Sequence, residues 1–266
     1  GRCKIYQDDR TYAERGDLSM IRVIVNGANG RMSREVISLV RKGSGALRAT
    51  IAAAVDVAES EDGNYSSLAK YAGPADVIID FTFHTTAAEL TEYAISRGLP
   101  LVIATTGHTQ EELALIRKAA LKIPIFQASN MSIGIALLVE FSKQAARAFP
   151  NANIEIVEKH HNRKKDAPSG TAMTIADALA EVRSGAEIKC GRSGFEERDP
   201  DEITIHSLRM GDIVGEHEVF ITTDTQQLVL RHEAFSRTLF AEGAICAAKF
   251  LLGKPAGYYR MEDMIR

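Results

Sequence analysis

The stretch Met20-Ile-Arg-Val-Ile-Val-Asn-Gly-Ala-Asn-Gly-Arg-Met32 decides the fold of this 266-residue chain. It begins with a short apolar, β-branched run, which is typical of a strand buried inside a parallel sheet. Gly27 and Gly30 follow, and a helical pattern then runs from Arg34 to Val40. A strand, a glycine turn and a helix in this order can hold the pyrophosphate of a dinucleotide on helix N–H groups. The spacing G-x-x-G-x-x-S is not the full fingerprint, and any tight strand-to-helix turn uses glycine.

A second apolar run, Thr50 to Val55, ends at Asp56. An acidic residue at the carboxyl end of the second strand is placed to bind the hydroxyls of the adenosine ribose, although Asp56 could instead cap a turn. Val57 offers no charge to a 2′-phosphate, so the pattern favours NAD. Use of NADPH would require Arg31 or another cation.

Strands and helices continue to alternate after this point. The predicted strands are Val77 to Phe81 and Leu99 to Ala104, and the predicted helices are Thr86 to Arg97 and Gln110 to Leu121. Alternation of this kind predicts an α/β fold with a Rossmann-like, doubly wound parallel sheet.

The segment Glu158-Lys-His-His-Asn-Arg-Lys-Lys-Asp-Ala-Pro-Ser-Gly-Thr171 is the richest in chemistry. A strand pattern precedes it and a helical pattern, Ala172 to Val182, follows, so we predict a loop between strand and helix, where ligands usually bind. With Pro168 at the start of the helix, the N–H groups of Ser169, Gly170 and Thr171 would be unpaired and would favour an anion. The hydroxyls of Ser169 and Thr171 add donors. Without its neighbours, Pro-Ser-Gly-Thr would be a simple helix cap.

The neighbours of this helix start favour an active site for a small dianion. His160 and His161 can exchange protons near neutral pH, and Lys164 supplies a cation and a proton donor. We interpret Lys159, Arg163 and Lys165 as a solvated charged run. Adjacent histidines point apart, and no cysteine or carboxylate cluster completes a ligand set, so we predict no metal.

Composition narrows the class of protein further. The net charge is −3 and 45% of residues are hydrophobic, and neither a nucleic-acid footprint nor an apolar run long enough for a membrane span is present. Three scattered cysteines fit a reducing compartment, and the cytoplasm is our expectation. Residues 1–19 lack a clear period, and we expect the natural start near Met20, with the preceding segment either an added piece or a native arm.

The segment His160-His-x-x-Lys-x-Asp-Ala-Pro-Ser-Gly-Thr171 resembles the signature of the dihydrodipicolinate reductases. Further blocks resemble the same family in the same order, from Met20 onward: Gly27–Met32, Asp80–Thr82, Ala104–Gly107, Ala128–Asn130, Gly211–His217 and Ala234–Arg237. Three positions depart from the usual pattern: Ser33 and Ala104 stand where glycine is common, and Met131 where phenylalanine is frequent. A methyl group at Ala104 would crowd the nicotinamide ribose.

The resemblance implies reduction of a cyclic imine dicarboxylate by NADH or NADPH, with loss of the 4-hydroxyl as water, in the diaminopimelate route to lysine. It implies that His160 is the principal acid/base group, that Lys164 is the proton donor, and that His161, Gly170 and Thr171 bind the substrate. The implied contacts to the dinucleotide are Gly27, Ala28, Asn29, Gly30, Arg31, Met32, Asp56, Ala104, Thr105, Thr106, Ala128, Ser129, Asn130 and Met131.

We expect a dinucleotide-binding domain of residues 20–130 and 238–266, and an inserted substrate-binding and oligomerisation domain of residues 131–237. In the second domain, alternating patterns predict an open, mixed sheet, with strands at Glu202–Arg209, Glu218–Thr223 and Gln227–Arg231. The family likeness implies a homotetramer that pairs these sheets and a hinge that closes the nicotinamide onto the substrate.

Three histidines of these strands, His206, His217 and His232, are interpreted as structural, and Arg209 as a possible contact to a substrate carboxylate. Two other classes of protein remain open. One is a different nicotinamide enzyme, such as an amino-acid or aldehyde dehydrogenase, which would not need the paired histidines. The other is a binding or sensor protein that has lost the chemistry.

Overall fold

The structure is a computed structural model, and it describes residues 20–43, 48–58 and 65–265. The predicted amino-terminal extension, residues 1–19, lies outside the described residues. The chain divides into two compact units: residues through 131 together with those from 238 onward, and residues 132–237.

The first unit is built on a parallel sheet. Its strands are β1 (Ile21–Asn26), β2 (Ala49–Val55), β3 (Val77–Asp80), β4 (Leu101–Ile103), β5 (Pro124–Gln127) and β11 (Gly257–Tyr259). Its helices are α1 (Arg31–Arg41), α2 (Ala87–Arg97), α3 (Gln110–Ala120), α6 (Thr238–Leu251) and α7 (Met261–Ile265), with 3₁₀ turns at Leu68–Lys70 and His84–Thr86. Within the described residues the strand order is β11, β5, β4, β3, β1, β2, and all neighbours pair in parallel. The predicted Rossmann-like sheet is confirmed.

Burial explains why these strands read as continuous apolar runs. Ile24, Ile78 and Leu101 are fully buried in one cluster with residues of the flanking helices. A sheet covered on both faces buries both sides of each strand. Because all the strands run in the same direction, the loops after β1, β2, β4 and β5 leave the sheet at one edge.

The second unit contains α4 (Ile133–Ala148), β6 (Asn153–His160), α5 (Gly170–Ala180), β7 (Glu187–Cys190), β8 (Glu202–Arg209), β9 (Gly215–Thr222) and β10 (Gln227–Ala234). Among the described residues its sheet has the order β10, β9, β6, β8, β7. Strand β8 pairs in parallel with β6 and β7, whereas β9 is antiparallel to β6 and β10. The predicted mixed sheet is confirmed, with β7 as a strand that the sequence patterns did not indicate.

Strand β6 positions the candidate site. Its side chains alternate between two faces, and the face with Ile154 and Ile156 is buried in a cluster that includes α4 and α5. Glu158 and His160 continue this buried series to the end of the strand. The strand is longer than predicted, so both residues lie on a rigid strand and not in the loop.

Helix α5 begins immediately after the loop. Its N-cap is Ser169, whose hydroxyl accepts a hydrogen bond from the Ala172 N–H at 3.2 Å. A serine in this position satisfies one of the donors that a helix start leaves unpaired. In the described part of the chain, no helix combines the length and apolarity needed to cross a bilayer.

Candidate active site and dinucleotide loops

A buried glutamate, Glu158, lies near the carboxyl end of β6 at the candidate site. The Glu158 carboxylate lies 2.5 Å from Nδ1 of His160 and receives both terminal nitrogens of Arg209, at 2.6 Å and 2.9 Å. The side chain of Glu158 is 0% exposed. The paired register of β6 and β8 brings these groups together, because His160 lies opposite Arg209. The carboxylate is therefore held between an imidazole and a guanidinium.

Glu158 remains ionised despite its burial. Burial alone would raise the pKa of this carboxyl group, but hydrogen bonds from His160, Arg209 and Ser207 outweigh that effect and hold the pKa far below its usual range. A carboxylate that accepts several hydrogen bonds favours its charged form. The site thus contains a fixed negative charge beside His160.

Arg209 is occupied by this pairing. Besides the two bonds to Glu158, its guanidinium donates to the backbone carbonyls of Leu208 and Asp166 at 2.7 Å each. Both terminal nitrogens of Arg209 thus bind protein acceptors, and a contact between Arg209 and a substrate carboxylate remains only a prediction.

Ser169 connects the carboxylate to the helix start. Its N–H donates to Glu158 at 3.1 Å, and its hydroxyl lies 3.2 Å from Nε2 of His217. The expectation that the Ser169 N–H is unpaired is therefore wrong, because Glu158 supplies an internal anion. Its hydroxyl also bonds within the protein, so direct substrate binding by Ser169 remains only a prediction.

Gly170 and Thr171 form the beginning of α5, where N–H groups point along the helix axis toward any anion. A Cβ placed on Gly170 would meet nothing within 4 Å. The space beside the helix start is therefore open on the Gly170 side. Anion binding by Gly170 and Thr171 at this helix start remains a prediction.

His217 packs against His160 from β9. The two rings meet edge to face, with centroids 5.3 Å apart and planes inclined at 76°. Burial, reinforced by the nearby His160, lowers the pKa of His217 to about 3. His217 is therefore a neutral neighbour of His160, which agrees with its structural interpretation.

Lys164 and His161 lie in the loop that follows the strand. The Lys164 ammonium pairs with Asp166 at 2.8 Å, and this bond lowers the pKa of the Asp166 carboxyl. The Lys164 N–H donates to the His161 carbonyl, which tightens the loop. Burial and the nearby Arg163 lower the pKa of His161. Neutral His161 offers a hydrogen bond, and Lys164 supplies the positive charge.

The loop between β8 and β9 lies against the same region. Met210 N–H donates to the His160 carbonyl at 2.9 Å, and Asn162 N–H donates to the Gly211 carbonyl at 3.2 Å. A Cβ on Gly215 would lie 3.1 Å from Nε2 of His160. Glycine at position 215 therefore leaves room at that nitrogen.

The glycine turn after β1 is stabilised by bonds within the protein. Gly27 has φ +81°, and a Cβ there would lie 3.0 Å from the Thr82 methyl group and 3.1 Å from the Phe81 carbonyl oxygen. The N–H groups of Gly27 and Ala28 both donate to Val55 at the end of β2. Gly30 is the N-cap of α1, which begins at Arg31. The turn is therefore compact and leads directly into a helix start.

Asp56 caps this turn. Its carboxylate accepts the N–H of Asn29 at 2.9 Å and the N–H of Ala58 at 3.1 Å. The alternative reading of Asp56 as a cap is thus observed. Carboxylate oxygens have additional acceptor sites, so binding of the ribose by Asp56 stays a prediction.

Asp80 also lies at the carboxyl edge of the first sheet, and the sequence analysis assigned it no role. It is 1% exposed and accepts hydrogen bonds from Asn26, Thr82 and Thr105 at 2.8, 2.8 and 2.7 Å. Burial raises its pKa, although these bonds oppose the shift. Asp80 ties the ends of β1, β3 and β4 together. The sequence feature that could have indicated Asp80 is an acidic residue at the end of an apolar strand.

The other predicted dinucleotide contacts follow β4 and β5. Thr105 is buried and donates a hydrogen bond to Asp80, whereas Thr106 is exposed and Ala104 is half-buried. The Ala128 N–H donates to the Ile103 carbonyl at 3.2 Å, which places residues 128–131 beside this edge. Ser129 is exposed, Asn130 half-buried and Met131 buried. The structure therefore gathers all the predicted dinucleotide residues at the carboxyl ends of four strands.

The structure shows what surrounds two of the three positions that depart from the usual family pattern. Ser33 is fully buried in α1, and its hydroxyl has no partner among the described residues. Met131 packs so closely on α6 that a Cβ at Gly243 would lie 1.8 Å from the Met131 carbonyl oxygen. Across the described ranges, no group of three or more metal-binding side chains is placed to hold a metal ion.

Comparison with known proteins identifies the family. Residues 21–131 match the family model for the dihydrodipicolinate reductase N-terminus, and residues 134–265 match that for its C-terminus. A 4-hydroxy-tetrahydrodipicolinate reductase of Caldanaerobacter subterraneus is 43% identical over 251 residues, covering 93% of this chain and 99% of the relative. One of Anaeromyxobacter sp. is 39% identical, covering 92% and 98%.

Solved structures agree with this assignment. A dipicolinate-bound dihydrodipicolinate reductase from Paenisporosarcina sp. TG-14 aligns with a TM-score of 0.75 and 27% identity, covering 92% of this chain and 99% of that one. An amine dehydrogenase from Mycobacterium smegmatis, at 12% identity, a TM-score of 0.62 and coverage of 92% and 96%, shares only the fold. From these matches, we conclude that the chain belongs to the dihydrodipicolinate reductase family.

Proposed function

We propose that this chain reduces 4-hydroxy-tetrahydrodipicolinate to tetrahydrodipicolinate, with loss of water, in the diaminopimelate route to lysine. Family membership supports the reaction, since its relatives carry the name of this NAD(P)H-dependent oxidoreductase. One structural observation carries the proposal within the chain itself: His160, held by buried Glu158, lies at the end of a strand whose next loop supplies Lys164 and the helix start of α5.

The chemistry of the site suits a cyclic dicarboxylate. The Gly170 and Thr171 N–H groups at the start of α5 are suited to one carboxylate, and the Lys164 ammonium attracts the same dianion. His161 adds a hydrogen-bonding group from the same loop. These residues bind and orient the substrate.

The reaction also needs a proton and a hydride. A reduced nicotinamide, NADH or NADPH, supplies the hydride when bound. The reduced ring then gains a proton, for which His160 is the principal acid/base group and Lys164 a donor. The protein contributes the charges and orientation that make this proton available.

The dinucleotide binds at the carboxyl edge of the first sheet in this proposal. The Gly27–Met32 turn and the start of α1 receive the pyrophosphate, and Asp56 receives the adenosine ribose. The loops at residues 104–106 and 128–131 contact the nicotinamide half. Support comes from the compact glycine turn and from the position of these loops after adjacent strands. Uncharged Val57 favours NADH.

The proposal also covers the oligomeric state of the chain and its cellular compartment. We expect a homotetramer that pairs the second sheets of four chains, and a cytoplasmic enzyme. Light scattering of the purified chain measures the assembly: a mass of four chains supports it, and a monomer contradicts it.

The function is tested by following oxidation of NADH and NADPH in the presence of freshly generated product of the preceding synthase. Oxidation that requires both this substrate and the chain is the expected result, and the two rates rank the cofactors. Binding of dinucleotide without oxidation would contradict the proposal and favour another substrate or a sensor. His206→Gln serves as a histidine control, because His206 pairs with Glu155 and not with Glu158.

A further inference from the structure

Strand geometry places Glu158 and His160 on the same face of β6. Residues two apart on a strand point in the same direction, about 7 Å apart along the chain. Their side chains close this gap, since Nδ1 of His160 lies 2.5 Å from the Glu158 carboxylate. One nitrogen of the imidazole is thus committed to an internal partner.

This contact fixes which nitrogen carries a proton. An ionised carboxylate can only accept hydrogen bonds, so Nδ1 of His160 must donate in both the neutral and the charged imidazole. Proton exchange with a substrate is thereby left to Nε2. That nitrogen lies at Gly215, where the missing side chain provides room.

The carboxylate is itself fixed from its other sides. Arg209 binds it with two nitrogens, and the Ser169 N–H donates at 3.1 Å. Two strands and a helix start therefore determine the orientation of Glu158. Removal of its charge would leave these donors facing a neutral group.

On the proposed function, we infer that Glu158 is a positioning residue for the reduction: it holds His160 with its Nδ1 protonated so that Nε2 delivers the proton to the substrate. Glu158 acts entirely through His160 and binds no substrate. The arrangement also stabilises the imidazolium that carries the proton, because the carboxylate supplies the opposing charge.

Strand β6 offers a matched control. Glu155 also contacts a histidine and an arginine, with His206 Nε2 at 2.9 Å and Arg198 Nε at 3.0 Å. It lies three residues from Glu158 and therefore on the opposite face of the sheet. Glu155→Gln removes the same charge by the same chemical change without touching His160.

The kinetic test compares Glu158→Gln with Glu155→Gln in the full-length chain. The amide of Glu158→Gln can present a donor to Nδ1, which favours the opposite tautomer of His160. We expect kcat to fall about 10²-fold or more, by the logic of tautomer loss in a catalytic triad, while KM changes by less than about 3-fold. Glu155→Gln keeps kcat within about 2-fold. Equal kcat values for the two variants would overturn the inference.

A pH profile adds a readout that loss of packing does not move. With Glu158→Gln, the dependence of kcat on pH should differ from that of Glu155→Gln, because His160 loses its anionic partner in only one of the two variants. Arg209, His217, Lys164 and His161 are charged or titratable groups near His160, and all four are identical in both variants. An unchanged profile together with unchanged kcat would contradict the inference.

Imidazole ¹⁵N NMR of the unmutated protein keeps the test independent of folding defects and of the substrate. In the neutral ring of His160, Nδ1 should carry the proton and Nε2 should not. An unprotonated Nδ1 in the neutral ring would overturn the inference. If the unmutated chain shows this tautomer and yet no turnover, the proposed function has failed while the positioning of His160 stands.

Discussion

Strand β6 carries two clusters of the same composition with different surroundings. On one face Glu155 binds His206 and Arg198, and its side chain is 28% exposed. On the other face Glu158 binds His160 and Arg209, and its side chain is 0% exposed. We call these the open-face cluster and the buried cluster.

The difference shows that residue types alone do not make an active site. In the buried cluster the carboxylate also accepts the Ser169 N–H at the start of α5, and exclusion of water strengthens each interaction. Exposed ion pairs contribute about 0–1 kcal/mol because solvent screens them. Burial and convergence of three elements therefore distinguish the cluster that can hold His160 in one state.

Replacing the histidine of each cluster should give the largest difference in kcat between the two clusters. His160→Gln removes the proposed proton donor, and we expect kcat to fall about 10²- to 10⁴-fold. His206→Gln should keep kcat within about 3-fold, since His206 lies in the open-face cluster. Steady-state oxidation of NADH measures both, with cofactor binding as a check of folding. Similar losses in the two variants would abolish the distinction.

The second largest difference between the clusters should be in the free energy of unfolding. Arg209→Met leaves the Glu158 charge buried without its guanidinium, and we expect a loss of about 3–5 kcal/mol in the free energy of unfolding. Glu155→Gln should cost only about 0–1 kcal/mol. Urea denaturation of both variants provides the comparison. A loss below about 1 kcal/mol for Arg209→Met would show that the buried pair is not structurally important.

The buried cluster should also create a pH dependence through His217. Its folded pKa is lowered to about 3, so the unfolded chain takes up a proton at higher pH than the folded chain. The stability due to neutral His217 is complete above about pH 6.5 and is lost progressively as the pH falls toward 3, by about 1.4 kcal/mol per pH unit.

Replacement by a side chain that does not titrate measures this contribution. Between pH 6.5 and 5, His217→Gln should lose about 2 kcal/mol less stability than the unmutated chain. Urea denaturation at the two pH values gives the difference, and all other histidines are common to both proteins. Parallel pH dependences would contradict the assignment of a buried, neutral His217.

Filling the space beside Nε2 of His160 should have the smallest effect on kcat. The Cβ of Gly215→Ala would lie 3.1 Å from Nε2 of His160, so the ring must shift slightly. A displacement from a preferred rotamer costs about 0.5–1.5 kcal/mol, which corresponds to a decrease of about 2- to 12-fold in kcat. Steady-state kinetics and a thermal melt separate this effect from unfolding. Unchanged kcat would show that the space is not used.

The fold could be predicted from the sequence where periodicity is strong. The apolar runs beginning at Ile21, Thr50 and Val77 gave the parallel sheet, because burial on both faces requires continuous apolar strands. Strands β5, β7 and β11 escaped prediction, because each spans only three or four residues. Of the three, only β5 has buried side chains, Ile125 and Phe126, and two apolar residues are too few to form a pattern.

The candidate site could be predicted only in part. Histidines, a lysine and a helix start within one segment indicated anion chemistry, because local spacing is sufficient for that inference. The pairing of Glu158 with Arg209 depends on the register between β6 and β8, which no local pattern encodes. The bond from the Ser169 N–H to Glu158 likewise joins the helix start to the strand across the intervening loop, so local spacing did not reveal it.

Transfer of deuterium tests the central claim most directly, namely that this chain reduces the cyclic imine with a hydride from the dinucleotide. NADH deuterated at both C4 positions would be incubated with the chain and freshly generated substrate, and the product examined by mass spectrometry. The account predicts tetrahydrodipicolinate that carries one deuterium, formed slowly by His160→Gln and at the normal rate by His206→Gln. Product without deuterium, or no product despite bound NADH, would contradict it.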